Sequence, residues 1–318
     1  MIAAAAKGVP LWPVSLARGV DVVGLGEICL DEVAIARRLP EPAGKAEMLE
    51  WRTEAGGQVA TAVLAARRLG RSAAFIGAVG DDDAGVRVRT PLADAGVDLS
   101  AVRVLPGVSS QRAMIWIDEA SGERTILSHR PKELALPAAS VPVTLVARAG
   151  VLLVDGGHPE AACAAAEAAR EAGVPVVLDA DQTAAEPEAM LRRCDFPILP
   201  EDLARALYGS PEAALETLGA GGARLAVVTL GEGGAIAAGT AAASPIHSPA
   251  LSITAVDTTG AGDAFHGAFC DAVLAGHDAA VTLQRANVAA GLNCLAVGAQ
   301  GGLPTAAQLE SALARAER

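Results

Sequence analysis

From residue 151 onward, short apolar runs alternate with helical patterns, and this regularity limits the folds open to the chain. The runs have the length and composition of buried strands, and they occupy residues 151–155, 174–179, 196–199 and 225–230. Such alternation is typical of an α/β fold in which a parallel sheet carries helices on both faces. Ligands of such sheets bind beyond the carboxyl ends of the strands. We therefore expect five polar residues to lie near a site, namely Asp155, His158, Asp179, Asp181 and Glu201.

The composition of the chain narrows the classes of function. Its 318 residues carry a formal net charge of −12, which argues against nucleic acid as a partner because phosphate binding needs a basic surface. No apolar run is long enough for a membrane-spanning helix. The five cysteines have neither paired nor metal-binding spacing, which favours a reducing, cytoplasmic location. Residues 1–19 are interrupted by a lysine and two prolines, so we predict a disordered extension there rather than a secretory signal.

A thirteen-residue run at 257–269, DTTGAGDAFHGAF, carries the strongest chemical signal. It follows a β-branched stretch at 251–256 and continues with one apolar helix face, which predicts a strand, a tight turn and a helix. The turn Gly260-Ala261-Gly262 can cradle an anion, because backbone N–H groups are unpaired where a helix begins. Asp263 is the only carboxylate inside this turn. A carboxylate beside an anion site suits a reaction in which a hydroxyl gives up its proton, such as phosphoryl transfer.

The same run resembles, without a mismatch, the signature D-T-T-G-A-G-D-x-F-x-G of the PfkB family of carbohydrate kinases, which are ribokinase-like. The resemblance covers about residues 20–318 and implies one kinase domain after the extension. It implies a three-layer α/β sandwich with a mostly parallel central sheet and a small β-sheet lid. The implied activity is in-line transfer of a phosphoryl group from ATP, with Mg²⁺, to a hydroxyl of a small ketose or furanose. Asp263 would be the base, and Gly260, Ala261 and Gly262 would stabilise the developing charge.

The resemblance also assigns residues to the nucleotide and to cations. Thr229 and Gly231 match the family's T-x-G at a strand end, and Gly262 and Asn287 are the other expected ATP-binding positions. Asp257 and the Thr259 carbonyl match positions that often bind a monovalent cation, so K⁺ is an expected cofactor beside Mg²⁺. The family's N-x-x-E is absent, because residues 200–203 read Pro-Glu-Asp-Leu. How Mg²⁺ is held is therefore left open.

The lid is expected from two strand-like segments, at about residues 32–54 and 102–130, the second with a turn at Ser121-Gly122. Members of the family often pair through their lids, so the resemblance implies a homodimer. Lys45 in the first segment and Arg112 in the second are candidate cations toward the substrate.

The expected sugar site takes residues from the start of the domain. By resemblance, Asp31 holds substrate hydroxyls, and the double glycine Gly56-Gly57 opens a helix beside the sugar. Thr61 stands where many members carry a substrate-binding asparagine. A hydroxyl cannot bridge two sugar oxygens as an amide can, which puts ribose in doubt.

Other functions stay open at this point. Several local runs look similar to kinases of 6-deoxy-6-sulfofructose, which need a cationic pocket for the sulfonate. Nucleoside kinases share the fold, and Trp51 and Trp116 are possible walls for a base. A catalytically silent sugar-binding protein is a third alternative, against which the intact turn and Asp263 argue. A dinucleotide-binding oxidoreductase is disfavoured, because the third glycine of G-x-G-x-x-G would fall on Cys29.

Overall fold

The computed structural model describes residues 9–13, 19–38, 40–41, 43–120, 124–181 and 187–316. Its strands are β1 (Val20–Leu25), β2 (Cys29–Ala36), β3 (Met48–Gly56), β4 (Ala73–Gly80), β5 (Val102–Leu105), β6 (Arg112–Asp118), β7 (Arg124–His129), β8 (Ala149–Asp155), β9 (Val176–Asp179), β10 (Phe196–Pro200), β11 (Ala226–Thr229), β12 (Ala235–Ala238) and β13 (Ile246–Ser248). Its helices are α1 (Gln58–Arg68), α2 (Asp83–Asp94), α3 (Val143–Ala147), α4 (Pro159–Glu171), α5 (Pro187–Leu191), α6 (Glu201–Tyr208), α7 (Pro211–Ala220), α8 (Ala261–Leu274), α9 (Ala279–Asn293) and α10 (Ala306–Ala316). Within these ranges no helix has the length and apolarity to span a membrane.

Nine strands form the central sheet, in the order β13-β12-β11-β10-β9-β8-β1-β4-β5. Neighbours from β11 to β5 run parallel, and β12 and β13 add an antiparallel edge. The chain enters in the middle with β1, extends to one side through β4 and β5, and then returns to build the other side from β8. The strand order therefore reverses around β1. A crevice for ligands forms at the carboxyl ends of the strands where such a reversal occurs.

Side chains of the sheet alternate between two apolar layers, because successive residues of a strand point to opposite faces. In β1, Val22 packs in one layer with residues of α1 and α8, and Val23 packs in the other with residues of α4 and α6. The inward positions of α4 are alanines, which allow the helix to lie close to the sheet. The predicted three-layer α/β sandwich with a mostly parallel sheet is confirmed.

A second sheet of four strands, in the order β3-β2-β6-β7, forms the predicted small lid. Residues 26–28 alone join β1 to β2, and Gly57 alone joins β3 to α1. The strand register sets Val33 beside Ile115 on one lid face. It sets Ala34 between Trp51 and Trp116 on the other. The first of these faces is turned toward the central sheet.

Two segments differ from the sequence prediction. Residues 102–105, assigned to the lid, form β5 and pair parallel with β4 at the edge of the central sheet. Residues 251–256, predicted as a strand before the glycine turn, contain no strand. The preceding β13 ends at Ser248, next to Pro249, whose ring leaves no N–H for a ladder. The stretch instead packs Leu251 against α9 and α10.

Part of the start extension packs against the domain. Leu11 is fully buried, its N–H donates to the His277 carbonyl at 2.9 Å, and its own carbonyl accepts a hydrogen bond from the Arg224 guanidinium. Trp12 meets Phe196 edge-on with ring centroids 6.1 Å apart. This packing differs from the disordered extension that we expected, because two apolar side chains find contacts beside β10. Residues 1–8 and 14–18, and the turn predicted at Ser121-Gly122, lie outside the described residues.

Candidate active site

A cleft of about 800 Å³ lies between the carboxyl edge of the central sheet and the inner face of the lid. The lid, the start of α1, the ends of β9 to β11 and the glycine turn before α8 all contribute to it. The lining side chains with polar or charged groups are Glu27, Asp31, Gln58, Gln111, Ser128, Arg130, Asp179, Asp181, Asp202, Thr229, Thr258, Thr259, Asp263 and His266. The structure therefore brings Asp31 and the glycine turn, which are more than two hundred residues apart in sequence, to one cavity.

The glycine turn opens α8 toward this cleft. Gly260 is the N-cap residue, with φ of 74° in the left-handed region and no side-chain hydrogen bond to the first turn. A Cβ on Gly260 would overlap the backbone of Ala299, so the turn rests directly on that segment. A Cβ on Gly262 would meet no atom within 4 Å. The first turn thus offers backbone N–H groups and open space for an anion, with the Asp263 carboxyl in the same turn.

His266 fixes the far side of this turn. Its Nδ1 lies 2.7 Å from the Gly262 carbonyl and 3.5 Å from a carboxyl oxygen of Asp179. Because a carbonyl only accepts, Nδ1 carries the proton and donates to Gly262. Burial lowers the pKa of His266 to about 4, against the opposing effect of this hydrogen bond, so the ring is neutral at physiological pH. Sequence reasoning did not assign a role to this histidine.

Two buried carboxyls stand side by side beneath the cleft, Asp155 at the end of β8 and Asp179 at the end of β9. Burial raises the pKa of both. Asp155 accepts hydrogen bonds at 2.7 Å from the N–H groups of Glu27 and Gly157, and these donors favour its ionised form. Asp179 receives only a 3.4 Å contact from Gln58 on one oxygen, and its other oxygen has no hydrogen-bond partner. Burial and nearby Asp181 raise the pKa of Asp179 to about 8, so Asp179 carries the proton of the pair.

Asp31 lies on β2 and projects into the cleft from the lid. Its carboxyl occupies the space that a side chain on Gly56 would need, so Gly56 makes room for Asp31. Gly57 lines the cleft with φ of 98°, and a Cβ there would come within 2.6 Å of the Glu27 carbonyl. Burial raises the pKa of Asp31 to about 6, and Glu54 adds to this effect. The glycine pair thus positions the loop and the carboxyl that meet at one end of the cleft.

A polar network that the sequence reasoning did not assemble lies beside Asp31. Glu27 accepts a hydrogen bond of 2.8 Å from the Gln111 amide and forms an ion pair with Arg130. Glu27 lies two residues after the end of β1, at the point where the strand order reverses, and that position was the available signal. Gln111 and Arg130 come from the two ends of the β6–β7 hairpin.

Three residues predicted to touch the substrate lie elsewhere. Thr61 is fully buried on α1, and its hydroxyl accepts a hydrogen bond from the Gln300 amide at 3.3 Å. Arg112 pairs with Glu32 at 3.2 Å and does not line the cleft, because its register position points to the other face of β6. Lys45 is exposed and lies with Arg37 and Arg38 at a separate depression in the lid.

Of the predicted nucleotide and cation residues, Thr229, Thr259 and Gly262 line the cleft, whereas Gly231, Asn287 and Asp257 do not. Thr229 lines it at the end of β11, and Gly231 follows with φ of 57°. The buried Asn287 amide donates to the Ser248 carbonyl and hydroxyl at 2.9 and 3.0 Å, which fixes the end of β13 against α9. Asp257 and Thr259 lie in the segment before the turn, where Asp257 accepts the Thr259 N–H at 2.8 Å.

The described residues form no complete set of protein ligands for a metal ion. The triple aspartate at 81–83 places Asp82 as the cap of α2, accepting the Gly85 N–H at 2.9 Å. In the part of the chain that the structure describes, no group of three or more His, Cys, Asp or Glu side chains is arranged to hold a metal ion.

Comparison with known proteins agrees with this architecture. The model of the pfkB family of carbohydrate kinases matches residues 20–306. The chain belongs to this family. The pfkB relatives include an ATP-dependent ribose-1-phosphate kinase of Halopiger xanaduensis, 31% identical over 90% of this chain and 96% of the relative. They also include the ribokinase of Bacillus subtilis, 25% identical over 92% of this chain and 99% of the relative.

The fold of this pfkB member is also that of solved ribokinases. The structure of Arabidopsis thaliana ribokinase with ribose and ATP matches with a TM-score of 0.80 and 25% identity, over 93% of this chain and 99% of that one. The predicted enzyme class, a sugar kinase, is confirmed by these relationships.

Proposed function

We propose that this sugar kinase transfers the γ-phosphoryl group of ATP to a hydroxyl of a small neutral sugar, of ketose or furanose type. The observation that carries the proposal is the first turn of α8. There a Cβ on Gly262 would meet no atom within 4 Å, which leaves open space at the start of the helix, and Asp263 stands in the same turn and lines the same cleft. Asp31 and Glu27 lie in that cleft as carboxylate acceptors for sugar hydroxyls, and Gln111 and Arg130 lie there as donors.

The chemistry follows from these groups. The sugar hydroxyl gives its proton to the Asp263 carboxylate as its oxygen bonds to the γ-phosphorus, and the bond from that phosphorus to the ADP oxygen breaks in line. Negative charge that develops on the phosphoryl oxygens is stabilised by the N–H groups at the start of α8. Neutral His266 donates a hydrogen bond to the Gly262 carbonyl and places no charge beneath the turn. The lid face excludes water that would otherwise accept the phosphoryl group.

The charges of the cleft favour a neutral sugar. Six carboxyl groups line it, from Glu27, Asp31, Asp179, Asp181, Asp202 and Asp263. Among the described lining residues Arg130 is the only lysine or arginine, and it is already paired with Glu27. A phosphate or sulfonate on the substrate would need a free cation in this region. This argues against a sulfofructose or a sugar phosphate as the preferred acceptor.

Thr229 lines the end of the cleft where we propose that ATP binds, and Gly231 follows it in the chain. Mg²⁺ would enter with the nucleotide, supplying charge neutralisation for its phosphates. Asp181 and Asp202 line the cleft with the oxygen ligands that Mg²⁺ prefers. Because Mg²⁺ keeps several waters and is commonly held by one or two carboxylates plus phosphates, a complete protein cage is not needed.

The residues that line the cleft give little support to the alternative functions, a nucleoside kinase and a silent binding protein. Trp51 and Trp116, the expected walls of a nucleoside pocket, lie on the lid face that carries Ala34, opposite the face with Ile115 that lines the cleft. A silent binding protein would have no need for Asp263 beside the open turn. A nucleoside as the best acceptor remains an outcome of the test below.

We further propose that two copies pair through the outer faces of their lids. Trp51 and Leu127 share that face and are 47% and 56% exposed. Large exposed apolar side chains on one surface mark an association site. The mass in solution of a Trp51→Lys, Leu127→Lys double variant tests this. It should be that of a monomer, whereas Val86→Lys, at an exposed apolar position on α2, should leave a dimer. A monomeric wild type would refute the pairing.

The decisive experiment for the activity is a coupled ADP-release assay with ATP and Mg²⁺. The acceptor panel holds ketoses, aldoses, sugar phosphates, sulfosugars and nucleosides, and a neutral sugar should give the highest kcat/KM. With that sugar, Asp263→Asn should lower kcat by about a thousandfold while ADP binding is retained. Asp83→Asn, at an exposed position of α2, should match the wild type. A near wild-type rate for Asp263→Asn would exclude the assigned base.

A further inference from the structure

Two loops meet beneath the glycine turn, and a half-buried aspartate and a fully buried asparagine join them. The first loop is the segment 257–260, and the second is 298–302. Asp257 accepts the Thr259 N–H at 2.8 Å with one oxygen and the Gly298 N–H at 2.9 Å with the other. Asn293, the last residue of α9, is fully buried. Its amide nitrogen donates to the carbonyls of Thr259 and Ala299, at 3.1 Å each.

In two of these hydrogen bonds the side chain accepts, and in the other two the side chain donates. All four hold the two loops together. The Asp257 carboxylate takes an N–H from each loop, and the Asn293 amide gives an N–H to a carbonyl of each loop. The backbone of Ala299 lies where a side chain on Gly260 would be, so the joined loops directly support the turn. Burial alone would raise the pKa of Asp257, but the N–H groups of Gly298 and Thr259 outweigh it and lower the pKa, which keeps the carboxylate charged.

The Asp257 carboxylate and the Thr259 carbonyl were expected to coordinate a monovalent cation. The carboxylate already accepts two backbone N–H groups, and the Thr259 carbonyl accepts an N–H of Asn293. A cation would draw the Thr259 carbonyl and its neighbours toward one point by coordination. In this chain the amide NH₂ of Asn293 stands between the carbonyls of Thr259 and Ala299, with its hydrogens facing both oxygens. The reverse orientation of the amide would set three oxygens against one another. A K⁺ bound by these two carbonyls would meet an N–H group, so the residues present do not fit the ion.

We propose that Asn293 takes the place of a monovalent cation in this protein, so that the support of the glycine turn needs no K⁺. Asn293 is thus a positioning residue, acting through Thr259 and Ala299 on the turn that Asp263 shares. The proposal rests on the proposed function only in identifying this turn as the phosphoryl site. The joining of the two loops by Asn293, which we call the Asn293 clamp, depends on loop geometry and can be measured without catalysis.

The test compares KCl with choline chloride at constant ionic strength. The readouts are the thermal unfolding midpoint, the affinity for ADP, and the rate with the best sugar of the panel. For the wild type, exchange of the salts should leave the midpoint unchanged and the affinity within about twofold. An ADP affinity at least about tenfold higher in KCl, or a midpoint raised by KCl, would overturn the proposal.

Two variants of α9 sharpen the comparison. Asn293→Asp keeps the shape but replaces the donors with a charged acceptor facing two carbonyls, so its midpoint and ADP affinity should become dependent on KCl. Thr282→Val is the control, since Thr282 is fully buried in the same helix with an unpartnered hydroxyl, and it should show no dependence on KCl. If Asn293→Asp does not fold in either salt, the wild-type comparison decides alone. Should no sugar be phosphorylated, the proposed function fails while the midpoints still test the clamp.

Discussion

Gly260 and Gly262 stand two residues apart in one turn, but their Cα atoms face opposite surroundings. The Cα of Gly260 faces the Ala299 backbone, which occupies the position that a Cβ would take. The Cα of Gly262 faces open space in the cleft. The protein's own packing therefore explains the first glycine. The second is explained only by something that approaches from outside, which we propose to be the phosphoryl group.

Alanine substitutions should separate these two roles. Gly260→Ala should lower the free energy of unfolding by more than about 2 kcal/mol, because it combines a left-handed φ with overlap onto a backbone. Gly262→Ala should leave the unfolding midpoint equal or higher, since alanine is the better helix former. It should nevertheless lower kcat/KM by at least about tenfold by blocking the approach to the N–H groups. Differential scanning calorimetry and the kinase assay measure both. Wild-type activity in Gly262→Ala would mean that no ligand comes near its Cα.

The acidity of Asp31 should appear in sugar binding. Burial raises its pKa to about 6, so the carboxylate, which we propose accepts sugar hydroxyls, is lost as the pH falls through that value. We expect the KM for the sugar to rise below about pH 6, with a smaller change in kcat. Asp31→Asn should raise KM about tenfold at neutral pH, through loss of a charge-assisted hydrogen bond, and should remove the pH dependence of KM. A pH profile of KM that the variant shares with the wild type would assign the titration to another group.

The protonated Asp179 should make stability depend on pH. Its folded-state pKa of about 8 lies above the value near 4 of an unfolded chain. The folded state therefore binds the proton more tightly, and stability that is fully present below about pH 4 is lost as the pH rises toward about 8. Asp179→Asn should become progressively more stable relative to the wild type across that window. Unfolding midpoints at about pH 5 and pH 8 test this. Asp94→Asn, at an exposed position of α2, should differ from the wild type equally at both values.

The pair of Glu27 with Arg130 should set the preference for uncharged acceptors. In Glu27→Gln the guanidinium loses its carboxylate, so the KM for sugar phosphates or sulfosugars should fall by about tenfold while the KM for neutral sugars does not improve. Glu32→Gln breaks the corresponding pair with Arg112 outside the cleft and should change neither value. If Glu27→Gln leaves the KM for anionic sugars unchanged, Arg130 does not govern acceptor charge.

The central sheet could be predicted because its strands are continuous apolar runs with helices between them, a pattern that only a covered parallel sheet produces. The glycine turn could be predicted because its sequence is contiguous. Thr61 and Arg112 were misplaced for a different reason. Which face of α1 or β6 is turned toward the cleft depends on packing and register against distant segments, and one residue of rotation buries a side chain or turns it away.

The Glu27 network and the Asn293 clamp were beyond the sequence for a related reason. Each joins segments far apart in the chain, and neither has a spacing that a motif can record. Residues 251–256 have the composition of a strand but form none, and Leu251 packs against α9 and α10 instead, so local propensity was overridden by tertiary packing.

Short connections join the lid to the central sheet at the end of the cleft where we propose that the sugar binds. Residues 26–28 connect β1 to β2 and Gly57 connects β3 to α1, while residues 106–111 and the chain after β7 make the other two connections of the lid. A tilt of the lid would be absorbed in these four segments. Asp31 rides on the lid strand itself, whereas Asp263 belongs to the body of the domain. A sugar bound by Asp31 would therefore move with the lid. The lid movement that brings the sugar to Asp263 would also exclude water from the cleft.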